Sequence, residues 1–261
     1  MDVSLEDSYD EFPRIEEAFG RALDESLDPR GPDVVYEVAG ELGLPPGTLA
    51  VDVGCGEGRD VTALNERLGW SVAGLDPVRR NLEVAREGFG PVPVAVGGIE
   101  ALPLPDGAVD VVWCREVLSL VGDLAEGFAE VRRVLRPAGR AVVIQVCRTE
   151  HLTADAASGP LASLGDHPSF DELAAAFATA GLVVDERIVL GSEGGEWGEE
   201  GSGTAGHRLL HAARLLRDPE RYVARFGRTN YEIMLGDCLW HVHRMTGGLS
   251  GSIWVLSRPE D

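Results

Sequence analysis

The sequence predicts an α/β protein with a doubly wound, Rossmann-like sheet, and three observations predict it. A run of β character ends in a cluster of alternating glycines and is followed by an apolar-periodic segment. A second strand ends in an acid 18 residues beyond that cluster. Short apolar strands then alternate with amphipathic helices up to about residue 191. This alternation is typical of a parallel sheet with helices on both faces.

The glycine cluster follows the first predicted strand, Leu49–Val53. It spaces Gly54, Gly56 and Gly58 as G-x-G-x-G, with Asp52 two residues before the first glycine. A turn that binds a pyrophosphate prefers G-x-G-x-x-G, and Arg59 stands where the third glycine would be. A carboxylate upstream of such a turn suits a ligand with a cationic amino acid portion.

The second predicted strand, residues 71–76, ends in Asp76. In a doubly wound fold this position supplies the carboxylate that accepts hydrogen bonds from ribose hydroxyls. Pro77 follows at the first position of a predicted helix, so Asp76 is also a candidate N-cap.

Bulk composition excludes several classes of function. The chain has 261 residues, 44% hydrophobic content and a net charge of −21, which argues against nucleic acid and against an anionic membrane surface as partners. The four cysteines have no C-x-x-C spacing, so we interpret them as buried thiols of a reducing compartment. The polar N-terminus is no signal peptide, and no apolar run approaches the ~18 residues of a membrane span. A cytoplasmic protein without a metal is expected.

Residues 1–48 precede the first strand and contain two predicted helices, which begin at Pro13 and Pro32. These helices either have only a packing role at one end of the sheet or form a lid that contributes Tyr9, Phe12 or Phe19 to a pocket. Both interpretations stay open.

A specific family resemblance comes from the next stretch. The segment IEALPLPDGAVDVVWCREVL contains a loop and the predicted strand 109–113, and the turn RVLRPAG, residues 133–139, precedes the fifth strand. Together with the glycine cluster, these motifs resemble the class I S-adenosylmethionine (SAM) methyltransferases, in the group of the ubiquinone and menaquinone enzymes. The resemblance covers about residues 45–150.

The resemblance implies a seven-stranded sheet, mostly parallel with an antiparallel last strand, and SAM as the cofactor. Many relatives carry an acid before the A-E-x-L-P segment that binds the adenine amino group, whereas this chain has Gly98. Either the backbone around Ile99 and Glu100 or the Glu100 side chain takes that role. The residues expected around SAM are Asp52, Gly54, Cys55, Gly56, Gly58, Asp76, Pro77, Gly98, Ile99, Glu100 and Arg115.

An insertion distinguishes this chain from the family pattern. Strand six is predicted at 182–190 and strand seven at 251–257, so residues 192–250 replace the usual short hairpin. Strand six runs parallel to the others, so the insertion starts on the cofactor side and is a candidate lid. We predict an acidic loop at 191–201 and helices at 206–217, 219–226 and 230–245, the last capped by Thr229. The predicted division is 1–48, 49–191, 192–250 and 251–261.

Candidate acceptor-side residues lie at the exit of strand five and in the insertion. His151 is the first choice for a base because strand-five exits are rigid, with His241 and Glu193 as further catalytic candidates. The spacing of His207 and His211 invites a zinc interpretation, but no Glu follows His207 and we reject it. The residues expected to contact the acceptor are Glu150, Trp197, His207, His211 and Tyr231.

The functional prediction is an SAM-dependent methyltransferase that acts on a small molecule at nitrogen, oxygen or carbon, with secondary metabolism as a setting. The alternatives are a peptide N-terminal methyltransferase and a non-catalytic SAM-binding module. A dinucleotide oxidoreductase is disfavoured by the missing third glycine. The expected assembly is a monomer or a homodimer.

Overall fold

A seven-stranded sheet organises the chain in a computed structural model that describes residues 15–16, 19–25, 28–90 and 92–260. The strand order is β3-β2-β1-β4-β5-β7-β6, and β7 runs antiparallel to both of its neighbours. This confirms the predicted fold class. The strands are β1 Leu49–Val53, β2 Ser71–Asp76, β3 Val94–Val96, β4 Val109–Arg115, β5 Leu135–Arg148, β6 Val183–Gly191 and β7 Leu249–Ser257.

Two hydrophobic cores cover the two faces of this sheet, because successive strand residues point to opposite sides. On β4, Val112 packs with the helices of one face, and Val111 and Trp113 pack with those of the other. The rings of Phe128 and Phe177 meet edge to face at 4.6 Å in the first core. The helices before the insertion are α1 Val34–Glu41, α2 Arg59–Leu68, α3 Arg79–Phe89, α4 Leu124–Val134, α5 Ala154–Ser158 and α6 Phe170–Thr179.

Side chains cap two helices of the α/β unit, whereas the predicted cap of α3 is absent. The Asp123 carboxylate accepts from the first backbone N–H groups of α4, and Ser169 forms a capping box with Glu172 at the start of α6. Asp76 is not the N-cap of α3. That helix begins at Arg79, two residues later than predicted, and leaves the Asp76 carboxylate at the tip of β2.

The insertion between β6 and β7 contains four helices: α7 Glu193–Ser202, α8 Thr204–Arg217, α9 Pro219–Phe226 and α10 Arg228–Met245. The prediction of a loop at 191–201 is wrong. A Cβ on Gly194 would lie 2.6 Å from the Arg244 guanidinium, and one on Gly195 would lie 2.6 Å from the Met245 sulfur. These glycines therefore let α7 pack closely on α10. Thr229 is not a cap either, since the N-cap of α10 is Gly227.

Helix α10 fixes the insertion to the rest of the chain. Its Gly236 lies against the 3-10 segment Pro160–Leu164, where a Cβ would come 2.5 Å from the Pro160 carbonyl oxygen. Further along α10, the Trp240 indole N–H donates to Nε2 of the buried His167 at 3.1 Å. These contacts carry the last turn of α10 to the edge of the sheet where the parallel strands end.

The N-terminal segment is described only in part. Residues 15–16 and 19–23 are helical, and Phe19 is exposed. Tyr9 and Phe12 lie outside the described residues, so their predicted contribution to a pocket stays a prediction. Within the described ranges, no helix combines the length and the apolar character that crossing a membrane requires.

The close packing at Gly236 gives a stability prediction. Gly236→Ala should lower the free energy of unfolding by about 1–3 kcal/mol, because the added methyl group overpacks the contact with Pro160. Gly88→Ala is the matched control. It lies in α3 with nothing near its Cβ position, so alanine should stabilise the protein by about 0.5–1 kcal/mol. Urea unfolding measures both, and equal stabilisation by the two changes would contradict the packing of α10.

Candidate active site

A cavity of about 340 Å³ opens at the carboxyl ends of β1 and β4. In open α/β sheets this edge is where ligands bind, and the volume is in the range of small-molecule sites. The cavity is lined by Asp52, Gly54, Cys55, Glu57, Arg59, Asp60, Phe89, Arg115 and Glu116. Four of the predicted cofactor residues therefore share one wall, namely Asp52, Gly54, Cys55 and Arg115.

The glycine turn holds its backbone close to neighbouring elements. Gly54 has a φ of 75°, and a Cβ there would overlap the Val117 side chain. The Gly56 N–H donates to Asp76 Oδ2 at 2.9 Å, while Asp76 Oδ1 accepts from the Val78 N–H at 2.8 Å. The tip of β2 thus braces the turn. Only glycine fits the first position, because it needs both a left-handed conformation and the space of a missing side chain.

Asp52 is a buried carboxylate without a full set of partners. Among the described residues, its Oδ2 has no hydrogen-bond partner. Burial raises the pKa of Asp52 well above its usual value, and the neighbouring Asp60 raises it further. A buried carboxylate of this kind is costly unless a donor or a cation meets it. The wall of the cavity is therefore suited to a positively charged ligand group.

Asp60, at the start of α2, contrasts with Asp52 because its carboxylate is satisfied. It accepts from the Tyr36 hydroxyl at 2.6 Å, the Trp113 indole N–H at 2.8 Å and the Arg115 guanidinium at 3.3 Å. Burial and the bond to Asp60 raise the pKa of Tyr36 to about 12. This network fixes Arg115 beside the cavity. Sequence reasoning missed Asp60, although its place one turn after the glycine cluster puts it at the same edge.

Glu116 directly follows β4 and was also missed. It adopts a φ of 55°, which is uncommon for a residue with a side chain and often marks a functional position. The residue is exposed to solvent and lines the cavity. Loss of hydration raises the pKa of Glu116 to about 7, against the opposing effects of Arg244 on α10 and of Arg115. An acid directly after a central strand was the available signal.

The remaining predicted cofactor residues lie around the glycine turn and the loop after β3. Ile99 is buried against Gly127 of α4, and the Glu100 carboxylate accepts from the Gly122 and Asp123 N–H groups at 2.9 and 3.0 Å. Glu100 thus holds the entry to α4. Gly98 has open space at its Cβ position, Pro77 is exposed, and Gly58 precedes α2 with a φ of 82°. Burial raises the pKa of the Cys55 thiol to about 12.

The three catalytic candidates from the sequence occupy different environments. His151 and Glu150 are exposed at the end of β5, with His151 Nε2 3.9 Å from Glu150 Oε1. His241 is partly buried, which lowers its pKa, and its ring meets Trp240 edge to face. Both Glu193 oxygens are held by Arg30, whose Nε donates at 2.6 Å. We therefore assign Glu193 to the contacts that join the N-terminal segment to α7.

The acceptor-side candidates of the insertion do not share the cofactor cavity. Trp197 packs on Gly31, and His207 is exposed on α8. His211 and Tyr231 line a separate cavity between α8, α9 and α10. At 1.5 Å per residue, Tyr231 lies about 20 Å along α10 from Arg244. The described residues contain no group of three or more metal-ligating side chains.

Comparison with known proteins identifies the α/β unit. Residues 51–143 match the family described as "Methyltransferase domain". This match identifies residues 51–143 as a methyltransferase domain. The match includes β1, the glycine turn, Asp76, β4 and the first half of β5, so the cavity lies inside it.

Relatives resemble parts of the chain, and solved structures resemble its fold. The malonyl-[acyl-carrier protein] O-methyltransferase of Serratia marcescens is 36% identical over 134 residues, 51% of this chain and 48% of that protein. The chain thus spans about half the length of this relative. The [4+2]-cyclase SpnF superposes with a TM-score of 0.67 at 19% identity, covering 87% of this chain and 81% of SpnF. A second structure is geranyl diphosphate C-methyltransferase from Streptomyces coelicolor, solved with Mg²⁺, geranyl diphosphate and S-adenosyl-L-homocysteine. It superposes with a TM-score of 0.63 at 19% identity, covering 86% of this chain and 76% of that protein.

The cavity of the methyltransferase domain fits SAM on its own chemistry. The Asp52 Oδ2, which has no hydrogen-bond partner among the described residues, matches the cationic amino acid end of SAM, and Gly54 lines the same cavity. The Asp76 carboxylate is buried at the tip of β2, and its remaining lone pairs would accept from the ribose. SAM is the cofactor of the domain. Its adenine would meet the loop that contains Gly98 and Ile99.

Asp52 and Asp60 give a matched pair of substitutions that tests whether the cavity suits SAM. Asp52→Asn should stabilise the ligand-free protein by about 1–2 kcal/mol, because it removes a poorly paired buried charge. It should also weaken S-adenosylhomocysteine binding about 10- to 100-fold, through loss of a charge-assisted hydrogen bond. Asp60→Asn should instead destabilise the protein by about 1–3 kcal/mol, because three donors lose a carboxylate partner.

The effect of Asp52→Asn on stability should depend on pH. The raised pKa of Asp52 means that the wild type loses stability as the pH rises above the ordinary carboxyl range, so the gain should be larger at pH 8 than at pH 5. Urea unfolding at both pH values and calorimetry check these results. Equal destabilisation by both substitutions would contradict an unpartnered carboxylate at residue 52.

Proposed function

We propose that this protein is an SAM-dependent methyltransferase that acts on a small-molecule acceptor at nitrogen, oxygen or carbon. One observation carries the proposal: the methyltransferase domain has a cavity lined by the buried Asp52, whose Oδ2 has no hydrogen-bond partner in the described part of the chain and suits the amino acid end of SAM. Sequence motif, fold and electrostatics thus support the same ligand.

The protein's own contribution is binding, orientation and exclusion of water. SAM supplies an electrophilic methyl group, so the chain needs mainly to place the acceptor in line with it and to keep solvent away. Asp52 and the glycine turn hold the amino acid end, and Asp76 holds the ribose. The methyl-bearing end of SAM would then face the carboxyl end of β4, where Arg115 and Glu116 border the cavity.

The insertion is the best candidate for the acceptor side. β6 runs in the same direction as β5, so α7 begins at the edge where the cofactor cavity opens. Arg244 at the end of α10 favours the ionised form of Glu116 electrostatically. The end of the insertion therefore acts on a residue that lines the cofactor cavity. Arg30 binds Glu193 and fastens the preceding segment to α7. We assign residues 49–191 to cofactor binding, 192–250 to a lid, and 1–48 to its support.

The names of the similar proteins indicate which classes of acceptor to test. The Serratia relative acts on a malonyl group, and the Streptomyces structure holds geranyl diphosphate. Both fit the wider proposal of a small acyl, isoprenoid or polyketide-like acceptor from secondary metabolism. A peptide N-terminus and a non-catalytic SAM-binding role are the alternatives. The similarity in fold to a cyclase favours testing for turnover directly.

Cofactor binding tests the first half of the proposal. S-adenosylhomocysteine should bind the wild type in calorimetry and NAD should not, and Asp76→Asn should weaken that binding about 10-fold because one ribose acceptor is lost. The control is Asp110→Asn. Asp110 is also a strand carboxylate that binds a backbone N–H, that of Leu49, but it lies at the opposite edge of the sheet. Binding of NAD alone, or equal effects of the two variants, would overturn the cofactor assignment.

Turnover tests the second half. SAM with a labelled methyl group should transfer label to at least one member of a panel of amines, phenols, acyl acids and prenyl diphosphates. Stoichiometric retention of SAM without transfer to any acceptor, a peptide library included, would support the non-catalytic alternative instead. Transfer to peptide N-termini alone would move the acceptor class from small molecules to peptides.

A further inference from the structure

Glu116 stands apart from the other acids of the cavity by its position. It follows the last residue of β4, so it sits at the central carboxyl edge of the sheet, next to Asp52 and Gly54 on the cavity wall. Its backbone N–H is fixed by a hydrogen bond to the Ile144 carbonyl oxygen at 2.8 Å. A left-handed backbone on a non-glycine residue costs about 1 kcal/mol or more and persists only where neighbours enforce it. The chain therefore holds the backbone of Glu116 at one place on the wall.

The surroundings of Glu116 leave its charge finely balanced. Lack of hydration disfavours the carboxylate, while Arg244 from α10, Arg115 from β4 and the Val146 N–H favour it. The thiols of Cys114 and Cys147 also lie within its electrostatic reach, and burial raises the pKa of both. The cavity is also lined by the acids Asp52, Asp60 and Glu57 and by Arg59. These effects put the pKa of Glu116 at about 7, so a single added charge decides its state near neutral pH.

Arg244, at the end of α10, links the protonation state of Glu116 to the insertion. Its guanidinium lies 4.8 Å from the centre of the Trp240 ring, and its buried Nε has no hydrogen-bond partner among the described residues. Burial lowers the pKa of Arg244, and Glu116 opposes that change. The attraction between the two side chains is therefore a link between the insertion and the reacting end of the cavity.

We propose that Glu116 is the proton acceptor of methyl transfer, and that the charge of the cofactor switches it. The inference rests on the proposed function. The carboxyl group is ionised while the sulfonium cation of SAM lies in the cavity, and it becomes protonated once the neutral thioether product has formed. The acceptor is accordingly a nucleophile with a proton to lose, such as a hydroxyl, an acid, an ammonium group or an activated C–H.

The step balances in atoms and charge. A lone pair of the acceptor, or the electron pair of its breaking C–H bond, forms the new bond to the methyl carbon. The carbon–sulfur bond breaks, its electron pair stays on sulfur, and the sulfonium becomes a neutral thioether. The proton of the acceptor goes to Glu116, so one positive and one negative charge disappear together. The product complex then contains a neutral Glu116, which agrees with its raised pKa.

Comparison of the two cofactor forms tests the proposal without any acceptor. SAM and S-adenosylhomocysteine share the adenosyl and amino acid parts and differ in the charge on sulfur. Calorimetry at pH 6.5–7 in two buffers of different ionisation enthalpy should show that SAM binding releases more protons than S-adenosylhomocysteine binding, by a sizeable fraction of one proton. The preference for SAM should rise with pH through about 7, tenfold for each unit by which SAM lowers the pKa of Glu116.

Variants identify the side chain that releases the additional proton when SAM binds. Glu116→Gln should abolish the difference between SAM and S-adenosylhomocysteine while both still bind. Glu57→Gln, the same change on the same wall, should retain it. Arg244→Met should move the pH midpoint upward, because the cation that favours ionised Glu116 is gone. Equal proton release for both ligands, or a difference that survives Glu116→Gln and disappears in Asp52→Asn, would overturn the proposal.

A stability measurement covers the case in which the variant binds neither ligand. Because the pKa of Glu116 is raised, its ionisation costs the ligand-free wild type stability as the pH rises from about 4.5 through 7. Glu116→Gln should therefore raise the urea midpoint relative to the wild type at pH 8 and not at pH 4. A constant difference across that range would overturn the proposal. If the wild type bound neither SAM nor S-adenosylhomocysteine, the proposed function itself would fail.

Discussion

The buried Asp52, whose Oδ2 finds no hydrogen-bond partner within the described ranges, is the constraint on which this structure depends. A buried charge without a partner costs free energy, and the chain retains it at the end of its central strand, where it is almost inaccessible to solvent. At the start of the next helix, Asp60 shows the alternative, since three donors satisfy its carboxylate. The difference between these two acids is physical evidence for a cationic ligand group beside Asp52.

The sheet topology brings the other functional groups to the same place. β1, β2, β4 and β5 run parallel, so the residues that follow them meet at one edge. β6 has the same direction and delivers the insertion to that edge, and β7 returns antiparallel between β5 and β6. The glycines of α7 then let α10 approach closely, which places Arg244 near Glu116. Acceptor recognition and proton acceptance would thus be coupled through a single helix end.

Much of the fold was predictable because strong local signals coincide with it. The glycine spacing, the acids at the ends of β1 and β2 and the alternating apolar strands led to the sheet and to the cofactor. The caps at Asp123 and Ser169 followed from residue type. The helix α7 was not predictable, since its glycines disfavour a helix in isolation and are explained only by the tertiary contacts of Arg244 and Met245.

The site was predictable only on its cofactor side. Motif spacing pointed to Asp52 and Gly54, and the family resemblance implied Arg115, whereas Glu116 and Asp60 are defined by the cavity and the partners that the fold creates. Histidines attracted attention because of their ordinary pKa, but a carboxyl group with a shifted pKa can serve the same purpose. His151 remains an exposed alternative at the end of β5.

A crystal structure of the wild type with S-adenosylhomocysteine would test the central claim most directly. The account predicts that the amino acid end contacts Asp52 and the Gly54 backbone, that the ribose contacts Asp76, and that the sulfur faces Glu116 and the end of α10. A ligand bound in the cavity between α8, α9 and α10, or one whose sulfur faces away from Glu116, would contradict it.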